Sequence, residues 1–139
     1  MNIDEIKNGI VIDHIAAGKS MEIYKLLNLE ELDCSVAIIK NAQSRKMGKK
    51  DIIKIDSHLD IDLEILGYID HNITVNIIKD GKRIEKKHLE LPVRLVNVLK
   101  CKNPRCITAS EPHLPEIFTL RDREKRIYRC AYCETKAKR

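Results

Sequence analysis

The first 90 residues alternate between short apolar segments and polar turns, the pattern of a structure that mixes strands and helices. Residues 9–15, Gly-Ile-Val-Ile-Asp-His-Ile, are rich in β-branched side chains and predict a strand. Ser20 then precedes apolar positions that recur every three or four residues until Asn28, which predicts a helix that Ser20 caps. A second strand is predicted over residues 34–40, followed by a polar loop over residues 41–49.

The next stretch continues this alternation. Residues 51–56 alternate apolar and polar side chains and predict a third strand, and residues 60–69 have the spacing of a second helix. Two more strands are predicted over residues 73–79 and 82–88, because the Asp-Gly dipeptide between them is a strong hairpin signal. The predicted order is βαββαβ with one additional hairpin strand, which is the ferredoxin-like arrangement.

The composition changes after residue 90. Leu91-Pro92 interrupts the pattern, and residues 93–99 form a short apolar connector that could be helix or strand. Three of the four prolines and four of the five cysteines lie beyond residue 100. We therefore predict an α+β protein with two domains, a ferredoxin-like domain over residues 1–92 and a small β domain over residues 93–139.

Four cysteines in the second domain have the spacing of a metal site. They follow the pattern C-x4-C, then 23 residues, then C-x2-C. Four thiolates can close a tetrahedron around Zn²⁺ and leave no position for water or substrate, so we predict one structural zinc per chain in a zinc-ribbon-like domain. The metal would supply folding energy to a module of about forty residues, which seldom buries enough apolar surface by itself. The predicted ligands are Cys101, Cys106, Cys130 and Cys133.

Other roles for the cysteines and for a nearby histidine fit less well. A redox Cys-x-x-Cys pair would be expected to open a helix, whereas Cys130 follows Arg-Ile-Tyr-Arg, which predicts a strand. His113 could replace one ligand, but it lies between two prolines and is interpreted as a surface histidine. Cys34 is interpreted as a small core residue.

Composition and charge narrow the class of protein. The longest apolar runs are far shorter than the roughly 20 residues of a membrane helix, and no signal-peptide pattern is present, so we expect a cytoplasmic protein without membrane attachment. Residues 1–99 carry 15 Lys and Arg against 16 Asp and Glu, whereas residues 100–139 carry 11 against 5. This basic end is either a solvated tail or a surface for an anionic partner. No glycine-rich phosphate loop, Gly-x-Ser-x-Gly or His-Glu-x-x-His is found, which favours a binding or regulatory protein.

Charged residues interrupt the predicted strands of the first domain. Asp13, Lys54 and Lys86 occupy positions where strands are usually apolar, and the first and third strands of a ferredoxin-like sheet are neighbours. Taken alone, these residues favour an exposed face with cross-strand ion pairs. The functional alternative is an anion site, where the lysines hold phosphates and the carboxylate accepts hydrogen bonds from a ribose.

Ordered sequence blocks then resemble one family nearly end to end. They include residues 9–15, Met-Gly-Lys-Lys-Asp-Ile-Ile-Lys-Ile at 47–55, Ile-Thr-Val-Asn at 73–76, Asn-Val-Leu at 97–99 and Cys-Ala-Tyr-Cys-Glu at 130–134. With Leu-Pro at the domain boundary and the cysteine spacing, the chain resembles the regulatory chain of aspartate carbamoyltransferase.

The resemblance implies a non-catalytic subunit that controls pyrimidine biosynthesis. Its N-terminal domain would bind the nucleotide effectors ATP and CTP, with UTP as a further candidate, and its zinc domain would dock on catalytic trimers. Regulatory chains would also pair as dimers. Arg105, which stands where an amide is common, and Glu111 fall in the region expected to contact the catalytic chain.

The resemblance also assigns effector-binding roles by position. Asp13 would meet the ribose, His14 the phosphate region, and Lys54 and Lys86 the ribose or phosphates, while the remaining residues would line the base pocket. The full set is Ile6, Val11, Asp13, His14, Lys54, Ile78 and Lys86. The alternative function is a zinc-ribbon nucleic-acid-binding protein, although the low aromatic content of 4% disfavours stacking on single strands.

Overall fold

The computed structural model describes residues 6–137. The chain divides into two units, one ending at Glu90 and one beginning at Leu91. The first unit contains a five-stranded antiparallel sheet in the order β2-β3-β1-β4-β5. Its elements are β1 (Gly9–Ala16), α1 (Ser20–Leu26), a 3₁₀ turn (Leu29–Glu31), β2 (Val36–Ser44), β3 (Gly48–Ile55), α2 (Leu63–Ile69), β4 (Thr74–Lys79) and β5 (Lys82–His88).

The predicted fold class is confirmed. The first four strands have the spatial order 2-3-1-4 with one helix in each crossover, as the ferredoxin-like arrangement requires, and β5 adds the expected hairpin strand beside β4. The second unit is a small β domain with a three-stranded sheet in the order β6-β7-β8. Its elements are β6 (Arg94–Val96), α3 (Ile107–Ser110), β7 (Ile117–Asp122) and β8 (Ile127–Cys130).

Three local predictions were wrong. The segment predicted as a polar loop is mostly strand, because β2 continues to Ser44 and β3 already begins at Gly48. A bulge at Lys40-Asn41, where Asn41 has a φ of 58°, interrupts the register, and β2 pairs with β3 on both sides of it. The polar residues after the bulge therefore form a strand although they lack alternating apolar side chains. Ser20 does not cap α1, and the second helix begins only at Leu63.

The side chain of Asp62 explains where the second helix begins. It accepts hydrogen bonds from the backbone N–H groups of Glu64 and Ile65 at 3.1 and 3.2 Å, which is the geometry of an N-cap. The apolar connector over residues 93–99, for which the sequence allowed either a helix or a strand, contains strand β6.

One face of the five-stranded sheet packs against both helices and forms the core. The strands contribute Ile10, Ile12, Ile15, Ile53, Ile55 and Val75, and the helices contribute Ile23, Leu66 and Ile69. A bulge in β1 keeps this pattern, because two residues, Asp13 and His14, lie between the rungs Ile12–Ile53 and Ile15–Asp51. His14 has a φ of 59°, and the extra residue returns Ile15 to the core face.

Asp51 on β3 is a fully buried carboxylate that joins three segments. Its Oδ2 accepts hydrogen bonds from the Ser20 hydroxyl at 2.6 Å and from the N–H groups of Gly18 and Ser20 at 3.1 and 3.3 Å. Its Oδ1 accepts from the N–H of Asn41 at 3.0 Å. Burial alone would raise the pKa of Asp51, but these hydrogen bonds outweigh it and hold the pKa below its usual value.

We predict that Asp51→Asn lowers the free energy of unfolding by about 2–4 kcal/mol, because an amide turns a donor toward N–H groups that have no other buried acceptor. Urea unfolding of the metal-loaded chain, followed by circular dichroism, measures the change. Asp56→Asn is the matched control, since Asp56 follows the same strand and is exposed. Equal losses in the two variants would contradict the role of Asp51.

The same carboxylate gives a pH prediction. A folded pKa below the ordinary value of about 4 means that the stabilisation is present above that value and is lost as the pH falls through the lower folded pKa. The stability difference between wild type and Asp51→Asn should therefore be constant above about pH 5 and narrow as the pH falls below the ordinary pKa of about 4. A difference that stays constant as the pH falls below about 4 would argue against an ionised carboxylate at this site.

Candidate effector face and metal centre

The sheet face opposite the helices carries a row of predicted effector residues. Val11 on β1 lies opposite Lys54 on β3 and Asn76 on β4, and Asn76 lies opposite Lys86 on β5. Cross-strand partners point to the same side of a sheet, so these four side chains share one face. The structure therefore brings together residues that are 75 positions apart in sequence, from Val11 to Lys86.

One end of this face is apolar. Ile78 lies opposite Gly9 at the start of β1. A Cβ placed on Gly9 would lie 2.8 Å from Cγ2 of Ile6, so Ile6 adjoins the same rung. Of the residues predicted for the base pocket, Val11 and Ile78 thus lie on neighbouring rungs, and Ile6 lies beside the rung of Ile78.

The other end of the face is charged. Asp13 forms an ion pair with Lys50, with 3.0 Å between Nζ and Oδ1, and both side chains are about four-fifths buried. Sequence reasoning expected Asp13 near Lys54, but Lys54 lies opposite Val11, two residues earlier in β1. Lys50 was missed because it lies between the predicted loop, residues 41–49, and the predicted strand, residues 51–56, whereas β3 already begins at Gly48.

His14 lies at the bulge beside this ion pair. Its Nδ1 is 2.9 Å from Oγ1 of Thr74, and its backbone N–H donates to Oδ1 of Asp13 at 2.6 Å. Burial, together with the charges of Lys50, Lys86 and Lys46, lowers the pKa of His14, and Asp13 only partly opposes this. Burial is thus the main reason that the imidazole favours its neutral form, and lysines from different strands act in the same direction.

Asn76 is the central polar residue of the face. Its side chain is buried, with only 8% of the residue exposed, and its Oδ1 has no hydrogen-bond donor among residues 6–137. Buried polar atoms almost always have partners, so this oxygen, which the described residues leave unsatisfied, is an exception. The sequence signal was available, since Asn76 alternates with the core residues Val75 and Ile77 and must face the lysines.

The four predicted metal ligands come together in the second unit. Their sulfur atoms all lie within 4.8 Å of one another, with 3.5 Å between Cys101 and Cys133 and 3.8 Å between Cys106 and Cys130. A tetrahedron with Zn–S bonds of about 2.3 Å has S–S edges of about 3.8 Å. All four are free thiols, so the cluster fits a tetrahedral metal ion.

Short loops position these sulfur atoms. Cys106 precedes α3 and Cys130 ends β8, which confirms the strand expected before the second pair. The N–H of Cys101 donates to Oε2 of Glu116 at 2.9 Å, and the Thr108 hydroxyl lies 3.2 Å from the Cys106 sulfur. The structure thus supports the metal ligands with hydrogen bonds from outside the cluster.

The protonation of the cluster also points to a cation. Burial and the neighbouring thiols raise the pKa of Cys101 to about 12, and burial raises that of Cys130. The hydroxyl of Thr135 lowers the pKa of Cys133 to about 6. Four thiolates this close repel one another, so full ionisation of the cluster requires a bound metal.

The remaining candidates lie at the surface or against the core. Arg105 and Glu111 are exposed, on the loop between the first two cysteines and just after α3. The side chain of His113 is 74% exposed, and its Nδ1 lies 3.4 Å from Glu111, which agrees with a surface histidine. Cys34 packs against the core of the first unit just before β2.

Comparison with known proteins agrees with the division of the chain into two units. Residues 1–90 match the family model of the aspartate carbamoyltransferase regulatory chain, allosteric domain, and residues 93–139 match that of its metal binding domain. These matches define a regulatory protein with an allosteric domain and a metal-binding domain.

Curated relatives agree over nearly the whole chain. The aspartate carbamoyltransferase regulatory chain of Clostridium botulinum (strain Hall) is 54% identical over 134 residues, which cover 96% of this chain and 92% of the relative. The regulatory chain of Clostridium tetani is 52% identical, over 96% of this chain and 94% of the relative. That of Bifidobacterium longum is 43% identical, over 99% of each chain. The chain belongs to the family of aspartate carbamoyltransferase regulatory chains, the non-catalytic subunits of this pyrimidine-pathway enzyme. In residues 6–137, no helix is long and apolar enough to cross a bilayer.

The electrostatics around His14 give a further prediction. Lys50→Met and Lys86→Met should each raise the pKa of His14, because each removes a positive charge that opposes imidazolium formation. Titration of the His14 ring protons by NMR measures the shift. Lys82→Met, at the far end of β5, is the control and should leave the titration unchanged. An unchanged pKa in both test variants would show that these lysines lie too far from His14 to act on it.

Proposed function

We propose that the face formed by β1, β3, β4 and β5 binds nucleotide triphosphates and makes this chain the allosteric control subunit of aspartate carbamoyltransferase. The observation that carries the proposal is the row of Lys54, Asn76 and Lys86, which lie on three different strands and share one face of the sheet. The two lysines would attract the phosphates of a nucleotide, and Asn76 lies on the same face between them.

The layout of the face suggests how a nucleotide lies on it. The apolar end, with Ile6 and Ile78, suits a base, and backbone groups at the start of β1 would read its edge. Lys54 and Lys86 in the middle would hold ribose or phosphate oxygens. At the charged end, Asp13 would accept from ribose hydroxyls and His14 would meet the phosphates, and a bound anion would also favour protonation of His14.

ATP and CTP would compete for this face, with UTP as a further effector. A nucleotide changes the catalytic equilibrium only by its different affinities for two states of the assembly, and coupling of this kind is typically about 1–3 kcal/mol. The coupling is reciprocal, so substrate analogues bound to the catalytic chains should change the nucleotide affinity by the same factor.

We predict that Lys54→Met and Lys86→Met each weaken CTP and ATP binding by about 10-fold to 100-fold, the equivalent of a lost charge-assisted hydrogen bond of about 1.5–3 kcal/mol. Calorimetric titration of the metal-loaded chain measures the affinity. Lys87→Met is the matched control, because Lys87 lies opposite the core residue Val75 and belongs to the other face of β5. Unchanged affinities in both test variants would refute the proposed site.

We further propose that the metal is zinc and that its domain docks on the catalytic chain. Four cysteine ligands at tetrahedral spacing favour Zn²⁺ over metals that prefer oxygen ligands. The ion would supply folding energy to the C-terminal domain, with Cys101, Cys106, Cys130 and Cys133 holding it. Arg105 and Glu111 are exposed on the loops beside these ligands and are therefore available to a partner.

Removal of the metal tests this role. Chelation or Cys130→Ser should unfold the C-terminal domain and release catalytic trimers that remain active but no longer respond to nucleotides. Native mass spectrometry of the chain mixed with catalytic trimers, together with elemental analysis for zinc, measures both effects. Cys34→Ser is the control, because Cys34 lies outside the cluster. Normal assembly of the metal-free chain would refute the proposal.

We also propose that two regulatory chains pair through β2. This nine-residue strand is an edge of the sheet and pairs only with β3 among the described strands, so its outer N–H and C=O groups are available. The opposite edge, β5, is protected by its lysines, arginine and glutamate.

The five free thiols suit a reducing compartment, and we propose the cytoplasm.

A further inference from the structure

A hydrogen-bond chain connects the two cysteine loops of the metal centre. Asn103 lies between the first two cysteines, and its Nδ2 donates to Oγ1 of Thr135 at 3.2 Å. Oγ1 of Thr135 in turn lies 3.1 Å from the sulfur of Cys133, on the second loop. These hydrogen bonds therefore lead to a metal ligand, Cys133, from two residues that are not ligands themselves.

The surroundings of Asn103 fix the direction of these hydrogen bonds. Its Oδ1 accepts from the backbone N–H of Arg105 at 3.0 Å, so the amide nitrogen must be the atom that faces Thr135. Thr135 Oγ1 thus receives a hydrogen bond from Asn103 and keeps its own hydrogen for another acceptor. A metal-bound cysteine is a thiolate, which can only accept, so the hydroxyl donates to the sulfur of Cys133.

Cys133 is more exposed than two of the other predicted ligands, so a hydrogen bond to its sulfur has more effect on metal retention. Cys106 and Cys130 are buried, with 3% and 0% exposed, whereas Cys133 is only partly buried. Water and competing chelators can therefore reach Cys133 more easily than they reach the two buried ligands. Donation from Asn103 also polarises the Thr135 hydroxyl and strengthens its bond to the sulfur.

We propose that Thr135 is a positioning residue of the metal centre, which holds the Cys133 thiolate in place and slows loss of the metal. Asn103 supports this bond by fixing the orientation of the Thr135 hydroxyl, and its side chain also acts on Cys133 directly. This inference rests on the proposed zinc site, which the wild-type chain tests separately. The backbone C=O of Thr135 accepts from the N–H of Cys130 at 2.9 Å, and a side-chain substitution leaves that bond in place.

The test compares Thr135→Val with Thr135→Ser in the full chain. Valine keeps the branched shape without the hydroxyl, and serine keeps the hydroxyl. Zinc affinity is measured by competition with a chromophoric chelator, and the release rate is measured in an excess of that chelator. We expect Thr135→Val to bind zinc about 10-fold more weakly, within the range usual for lost partners of metal ligands, and to release it faster. Thr135→Ser should restore both values.

The control is Thr119→Val on β7. Thr119 also forms a side-chain hydrogen bond, accepting from Nε of Arg121 at 3.1 Å, but it does not contact the cysteines through that bond. Absorption of the cobalt-substituted chains establishes that each variant forms the four-thiolate site. If Thr135→Val fails to form it, Thr135→Ala takes its place in the comparison.

The outcomes separate this inference from the zinc assignment. Wild-type affinity and release in Thr135→Val would overturn the positioning role while leaving the metal site intact. An equal loss in Thr119→Val would also overturn it, because the effect would then be general to the domain. A wild-type chain that takes up no zinc would overturn the metal assignment itself.

Discussion

The N-terminal domain depends on one buried carboxylate. Among the residues that the structure describes, the hydrogen-bond donors to Asp51 belong to Ser20, Gly18 and Asn41 and are all neutral. These donors come from the start of α1 and from the bulge of the edge strand. A buried charge is tolerated only when its hydrogen bonds are complete, so the positions of the helix and of the edge strand are tied to that of β3.

This constraint supports the effector face on the other side of the sheet. Asp51 points to the helices, whereas its neighbours Lys50 and Ile52 point away from them by the alternation of the strand. Lys50 pairs with Asp13 at the bulge of β1, directly beside the rung that joins Ile15 to Asp51. Anchoring of the helix and placement of the charged end of the face therefore depend on the same short segment of β3.

The sequence could predict the strands, the hairpin and the cysteine cluster because their signals are local. Alternating residues in β3, the Asp-Gly turn and the paired cysteine spacing each lie within a few positions of one another. The partner of Asp13 and the role of Ser20 could not be predicted, because bulges at His14 and Asn41 shift the cross-strand register. Both bulge residues have a positive φ, and the sequence signal for a positive φ is weak at residues other than glycine. The resemblance placed ligand roles on Asp13 and the lysines, and the common face of these residues emerged only from the strand pairing.

The bulge in β1 has a consequence for how this strand can vary. A regular strand offers a ligand only every second residue, but here Asp13 and His14 are consecutive and both lie off the core, so the face gains a functional group without a longer strand. The same extra residue sets which side Ile15 takes. Deleting one residue would return the strand to strict alternation and expel an isoleucine from the core, so this segment can tolerate exchange of side chains but not a change in length.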